Sequence, residues 1–421
     1  MADQTSTIPK GWKMTTLGKV AEITSSKRIF AEEYKTFGIP FFRGKEITEK
    51  YNGHNISTEL FISEEKYNDI KNNFGVPEEN DILLTSVGTL GNPYLVERDL
   101  KFYFKDGNLT WFRNYKDLLP KFLFYWIVSP QGKEILSYAK IGSTQEAYTI
   151  TKLKGLSLTI PELSEQRVIA AVLSSLDSKV ELLREQNKTL EAIAQVIFKE
   201  WFVNFNFPGA TRKMIDLELS QIPEGWIVGK LGDEIQTILG GTPNTEKKEY
   251  WEDGTVPWIN SGKVNDFRIY EPSAYITKKA LEESAAKLMP KGTVVIAITG
   301  ATLGQISRLE IESAGNQSVI GLLPNEKFSS SYLYYWMVEN VSNIINTATG
   351  GAQQHINKND VNNFDFLIPT KSVLEKYFML ADPIMEKISG NCFQIQTLSA
   401  LRDTLLPKLM KGEVRVKGFN N

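Results

Sequence analysis

The chain reads as an α+β protein: two similar α/β domains separated by two long antiparallel coiled-coil helices, in a pseudo-twofold internal repeat. Three observations predict this. A set of motifs returns at about half the chain length. Within each copy, short apolar runs lie between Gly-, Asn- and Asp-rich turns. A heptad stripe follows each copy.

The first copy spans residues 1–161. It opens on Ile8-Pro9-Lys10-Gly11-Trp12 and Leu17-Gly18, which return as Ile222-Pro223-Glu224-Gly225-Trp226 and Leu231-Gly232. Thr89-Leu90-Gly91 returns as Thr302-Leu303-Gly304, Leu123-Phe124-Tyr125-Trp126 as Leu333-Tyr334-Tyr335-Trp336, and Ile160-Pro161 as Ile368-Pro369. Solenoid units repeat every ~20–50 residues, so a period this long is a whole domain with its helix, duplicated. Ile82-Leu83-Leu84 and Leu156 to Ile160 read as strands, and Pro120 to Gly132 as a short aromatic helix. The second copy, within residues 206–369, keeps this order, with Val294 to Ile298 as its clearest buried strand. The aromatics Phe124-Tyr125-Trp126 and Tyr334-Tyr335-Trp336 read as core.

Residues 162–205 carry the strongest periodicity. Ile169, Leu173, Leu176, Val180, Leu183, Asn187, Leu190, Ala194, Ile197 and Trp201 alternate spacings of four and three, a coiled-coil seam. A helix from about Ser164 to Asn204 would be roughly 60 Å long. Asn187 is the polar member of the stripe, a residue type that sets register at a cost in stability. Residues 370–421 carry a second stripe: Leu374, Phe378, Ala381, Met385, Ile388, Cys392 and Ile395, loosely extended by Leu398, Leu405 and Leu409. Ser372 with Glu375 forms a capping-box pattern. Pro383 is expected to break or kink this helix, with Asp382 as a new N-cap. Two such helices most simply pair with each other, and the long connection between them permits an antiparallel pairing.

Composition is ordinary: 421 residues, 42% hydrophobic and 23% charged, with a net charge of −2. That charge argues against coating nucleic acid by bulk attraction but leaves room for a local patch. One cysteine and two histidines, His54 and His355, supply no internal disulfide, no CxxC site and little for a metal centre or a His-based triad. No apolar run reaches the ~20 residues needed to span a bilayer, and the start of the chain has neither the basic nor the apolar region of a signal peptide. The expected location is the cytoplasm.

Reaction chemistry is sparse. Gly44-Lys45-Glu46 and Gly262-Lys263-Val264 lack the spacing and hydroxyl of a phosphate loop. Asn92-Pro93-Tyr94 resembles the Asn-Pro-Pro-aromatic motif of amino-methyltransferases, yet it lacks the second proline and a Gly-rich cofactor loop upstream. No catalytic residue, cofactor or metal is expected.

The loops differ between copies while their framework stays. Pro40 matches Pro257, Gly44 Gly262, Lys45 Lys263, Gly91 Gly304 and Asn108 Asn316. Beside them, Phe42-Arg43-Gly44-Lys45 becomes Ile259-Asn260-Ser261-Gly262-Lys263, and Gly142 to Tyr148 becomes Gly350 to Ile356. Arg, Asn and Gln side chains make paired hydrogen bonds to base edges in the major groove, and lysines hold phosphates. Solvated loops of any protein share this composition, so the pattern across both copies carries more weight than any one residue.

Laid out as domain, helix, domain, helix, the chain resembles the specificity subunit of type I restriction–modification systems over nearly its whole length. The resemblance rests on Ile-Pro-x-Gly-Trp opening both halves and on Ile160-Pro161-Glu162-Leu163-Ser164-Glu165-Gln166-Arg167 entering the first helix. Leu176-Asp177-Ser178-Lys179-Val180-Glu181-Leu182, Phe198-Lys199-Glu200-Trp201-Phe202 and the closing Leu405 to Glu413 extend it. The second helix departs from the pattern, because Lys371 to Lys376 lacks the Glu-Gln-Arg entry. The resemblance implies two target-recognition domains, about residues 10–161 and 222–369, each reading half of a bipartite double-stranded DNA site. The two helices would act as the spacer that sets the gap, and residues after Gly412 would pack near the N-terminus. It also implies two methyltransferase subunits that carry S-adenosylmethionine, with restriction–translocase subunits joining them. On this reading Arg43, Thr89, Gln145 and Tyr148 face one half-site, and Asn260, Thr302, Gln353, Gln354 and Asn357 the other, with Lys45 and Lys263 on phosphates. Two alternatives remain: a coiled-coil scaffold whose two heads bind protein, and a similar subunit serving a combined restriction–methylation enzyme.

Overall fold

The computed structural model describes residues 8–142, 146–211, 213–216, 221–347 and 355–416. The chain divides into two compact units, Met1–Lys179 with Leu398–Asn421, and Val180–Thr397.

In the first unit, the apolar run Ile82–Thr85 is buried throughout and becomes an inner strand. It pairs antiparallel with Pro93–Leu95 and with Leu109–Arg113, and the latter pairs with Glu22–Thr24. A second sheet places Ile39–Phe42 antiparallel to Phe61–Ile62 and parallel to Tyr103–Phe104. Lys13–Thr16 and Ser157–Ile160 close the domain as a two-stranded ribbon. The expected helix over Pro120 to Gly132 is two helices, Pro120–Val128 and Pro130–Ser137. Ser129 divides them: its Oγ accepts the Gly132 N–H at 3.1 Å, and Pro130 takes the first helical position, where a missing N–H costs nothing. A Cβ at Gly132 would lie 1.8 Å from the Trp126 carbonyl oxygen, so this junction requires glycine.

The second unit repeats the plan. Its four-stranded antiparallel sheet runs Thr237–Leu239, Val319–Leu322, Val294–Ala297, Ile306–Arg308, the same order as in the first unit. Val256–Ile259 pairs antiparallel with Ala274–Ile276 and parallel with Ser313–Gly315. Ile227–Lys230 with Asp365–Ile368 forms the closing ribbon. The aromatic segment is here one helix, Ser330–Thr347. Of the aromatics expected as core, Tyr125 and Trp126 in one unit and Tyr334, Tyr335 and Trp336 in the other are buried, while Phe124 is half-buried against the same core.

The repeated Ile-Pro-x-Gly-Trp has a backbone cause. Trp12 donates its N–H to the Pro9 carbonyl at 3.0 Å and Trp226 to that of Pro223 at 3.1 Å. Gly11 and Gly225 sit at φ +85° and +84°, the third position of a type II turn. Only glycine adopts that conformation cheaply.

The heptad stripes form two long helices, Leu163–Phe202 and Lys371–Met410. In the first unit, Ile169 and Leu173 pack with Leu406, Leu409 and Met410, while Asp177 meets Arg402 at 2.9 Å. In the second unit, Asn391 donates to Asn187 at 2.8 Å, and Phe202 packs on Tyr377 with ring centroids 4.9 Å apart. In both units ascending residues of one helix meet descending residues of the other, so the segments run antiparallel. Ile169, Leu173, Val180, Leu183, Asn187, Met385 and Ile388 are buried, and Leu176, Leu190, Ile197 and Ile395 are half-buried.

Pro383 does not break the second helix, which runs through it unbroken. A mid-helix proline costs about 3 kcal/mol. Tyr377, Ala381, Met385 and Ile388 are buried on both sides of it, and helices in proteins are held chiefly by such packing. Asp382 caps nothing: its Oδ1 accepts the hydroxyls of Ser329 at 2.8 Å and Ser331 at 2.5 Å. The helix starts at Lys371, so Ser372 lies inside it. The Thr370 carbonyl takes the first N–H groups, from Val373 and Leu374. Beyond the helix, Gly412 abuts Pro9 and Trp12, and Arg415 reaches both the Lys10 carbonyl at 3.0 Å and Glu165 at 2.6 Å.

Candidate nucleic-acid interface

In the first unit the strand Ile39–Phe42 ends at Arg43, the N-cap of the helix Gly44–Tyr51. The Arg43 N–H donates to Glu46 Oε2 at 2.7 Å, and its Nη2 reaches Glu46 Oε1 at 2.8 Å. Glu46 is fully buried, while the Arg43 side chain keeps 31% of its exposure. The hydrogen bond to this carboxylate holds the guanidinium firmly charged. Arg43, Lys45 and Thr89 line one cleft of about 460 Å³, together with Thr48, Asn52 and His54. Lys45 contacts the Ser57 carbonyl at 3.3 Å and Glu49 at 3.6 Å, with its side chain half exposed. Thr89 stands exposed on the turn between Thr85 and Gly91, whose N–H bonds to the Thr85 carbonyl at 2.9 Å. Three of the expected residues thus share one concave surface.

Tyr148 does not join them at the surface. Its N–H bonds to the Ser86 carbonyl at 2.9 Å, and its ring is buried in the core. Its hydroxyl lies against Gly91, and burial raises its pKa. A tyrosine in a varied polar loop looks like a reader in sequence; here its ring supports the Thr89 turn from beneath. Gln145, Gln353 and Gln354 lie outside the described residues.

In the second unit Asn260 occupies the position of Arg43: it follows the strand Val256–Ile259 and caps the short helix Ser261–Asn265 through the Lys263 N–H at 3.1 Å. Lys263 pairs with Asp266 at 2.8 Å. The Thr302 hydroxyl contacts the Thr299 carbonyl at 3.3 Å. Asn357 caps Lys358–Asn362 through the N–H groups of Asn359 and Asp360. Its counterpart Thr149 caps Ile150–Gly155, so this position has a structural duty in both copies. Asn260 and Asn357 are exposed, and since the side-chain oxygen of each is taken by its cap, the amide NH₂ is the donor it has to offer.

Sequence reasoning missed Glu46, Asn52 and His54. The signal for Glu46 was present: the residue after the shared Gly-Lys is Glu in one copy and Val264 in the other. Two arginines of the second domain are structural rather than free to bind. Arg268 is buried, pairs with Glu191 at 3.1 Å and stacks 4.4 Å from the Tyr334 ring. Arg308 bonds Glu310, Glu386 and Ser389 at 2.8–2.9 Å.

Residues 9–192 and 223–375 match the family model described as type I restriction modification DNA specificity domain. The chain belongs to that family. It is 27% identical over 426 residues to the type I restriction enzyme MjaIX specificity subunit of Methanocaldococcus jannaschii, covering 97% of this chain and 95% of that protein. It is 25% identical to the HindI specificity subunit of Haemophilus influenzae, over 80% of this chain and 87% of that one. The crystal structure of the S subunit of a type I restriction–modification system from M. genitalium shares the fold at a TM-score of 0.63 and 18% identity, covering 94% of this chain and 96% of that one. The two family-model matches fall on the two repeats, so the duplication seen in the motifs is a duplication of the specificity domain. No helix among the described residues is long and apolar enough to cross a membrane.

Proposed function

We propose that this chain is the non-catalytic subunit that selects a bipartite DNA target for a type I restriction–modification enzyme, each repeat reading one half-site from the major groove. The observation that carries the reading is a shared scaffold with exchanged reader positions: in each copy a strand flanked by one antiparallel and one parallel neighbour ends at the reader position, which is Arg43 in one copy and Asn260 in the other. Arg and Asn read different bases, so two such domains select two different half-sites. Lys45 and Lys263 would hold phosphates beside them, which fixes register without carrying sequence information.

The methyltransferase subunits, with their S-adenosylmethionine, would dock on the long helices and bring the restriction subunits with them. Leu182, Ile193, Val196, Met379 and Leu380 are exposed apolar side chains on these helices, flanking the buried stripe. Exposed apolar side chains on a long helix are what a partner subunit would cover. The test is co-expression with an adjacent methyltransferase gene, followed by sequencing of methylated adenines in the host genome. A split motif with a fixed gap is expected. A chain that captures no methyltransferase and alters no methylation refutes the proposal and favours a protein-binding scaffold.

A further inference from the structure

We propose that Glu46 is a positioning residue that fixes Arg43 end-on to a guanine in the half-site of the first domain, an assignment that rests on the DNA-reading function proposed above. The geometry supplies the first argument. Glu46 grips one side of the guanidinium, with Oε1 2.8 Å from Nη2 and Oε2 3.4 Å from Nε. Since the guanidinium is planar, Nη1 and the second hydrogen of Nη2 are left along its far edge. That edge carries two parallel donors, the match for the O6 and N7 acceptors of guanine in the major groove. Arg43 presents it at the cleft it shares with Asn52 and His54.

The second argument comes from the internal repeat. Burying a carboxylate costs several kcal/mol unless a partner offsets it, and Glu46 is fully buried. The fold does not require an acid there. In the second domain the corresponding residue, after the same Gly-Lys, is Val264, equally buried. There the N-cap is Asn260, whose N–H goes instead to Ser273 Oγ at 3.1 Å. The buried acid is present in the copy that carries the arginine and absent from the copy that does not. A carboxylate that offsets the Arg43 charge also biases that residue toward base selection, leaving the phosphates to lysines such as Lys45.

The experiment uses the full chain assembled with its methyltransferase subunits, methylated-adenine sequencing, and binding titrations on duplexes differing at single base pairs. The wild-type motif should contain a G·C pair that Arg43→Ala relaxes by ~5- to 150-fold, the loss of one bidentate base contact. Glu46→Gln keeps an oxygen for the Arg43 N–H but removes the charge. It should relax the same pair, by less, and leave the other half-site unchanged. The double variant Arg43→Asn/Glu46→Val sets the residue types of the second domain at these two positions, although Ser261 separates Asn260 from the Gly-Lys pair there, and should alter preference at that one position. Three results overturn the assignment: a motif without G·C in either half-site; equal weakening on all duplexes with a shallower salt dependence, which makes Arg43 a phosphate contact; or unchanged selectivity in Glu46→Gln, which makes the acid a helix cap. A split motif insensitive to Arg43→Ala overturns this assignment alone, whereas a wild type that directs no methylation overturns the proposed function with it.

Discussion

Asp81 offers a test of the first domain that needs neither DNA nor partners. Its Oδ2 accepts the Trp111 indole N–H at 2.7 Å and the Glu78 N–H at 3.0 Å, and the residue is 8% exposed. Burial pushes its carboxyl from the ordinary 3.8 up to about 6, against the pull of those two hydrogen bonds. Because the folded pKa lies above the unfolded one, the folded chain binds more protons across that window. Stability is therefore greatest below the unfolded value and falls as pH rises through about 6. The difference corresponds to roughly 3 kcal/mol at neutral pH, about half of it appearing between pH 5 and pH 8. Asp81→Asn removes the titration and keeps an oxygen for the indole, but its new NH₂ needs a partner, at a cost of ~1–2 kcal/mol. The variant should thus be about 1–2 kcal/mol more stable than wild type near pH 8, with the gain vanishing or reversing near pH 5. Thermal melting of both proteins at the two pH values reads this as a few degrees per kcal/mol. A melting difference that does not change with pH would refute the reasoning.

Other predictions follow from single contacts. Cys392 is buried and its thiol is pushed up to about 11, so a thiol reagent at pH 8 should label the native chain at least ~10-fold more slowly than the denatured one. Gly225→Ala should cost about 1–2 kcal/mol through its left-handed φ alone, because a Cβ there meets only Thr370 Cγ2 at 3.4 Å; denaturant titration checks it. Asn187→Ala should cost about 1–3 kcal/mol by stripping an acceptor from the buried Asn391 amide, and a midpoint unchanged in urea would contradict that role.

Much of the architecture was legible because it depends on periodicity, which sequence carries directly. The alternating four- and three-residue spacing from Ile169 to Trp201 places its apolar residues on one helical face whatever lies around them, and that face is buried or half-buried. The duplicated Ile-Pro-x-Gly-Trp was legible for a different reason: a left-handed glycine between fixed neighbours is a local demand. Pro383 misled because propensity is local while the forces that override it are not. Nothing near it in sequence announces that Ser329 and Ser331 occupy Asp382, or that Tyr377 and Met385 are buried on either side.

The reader positions were harder for the same physical reason. Arg43, Arg268 and Arg308 are the same residue type in the same kind of domain, and only burial and partners separate a half-exposed guanidinium on a cleft from two that lock a core. Tyr148 shows the converse, a loop residue whose ring faces inward. What sequence can supply, in a duplicated chain, is an internal control. Where both copies keep a residue, as with the left-handed Gly11 and Gly225, the shared fold accounts for it. Where they exchange a buried acid for a buried valine beside the exposed residue that also changes, the fold does not account for the acid. The remaining explanation is the neighbour it holds, and therefore what that neighbour touches.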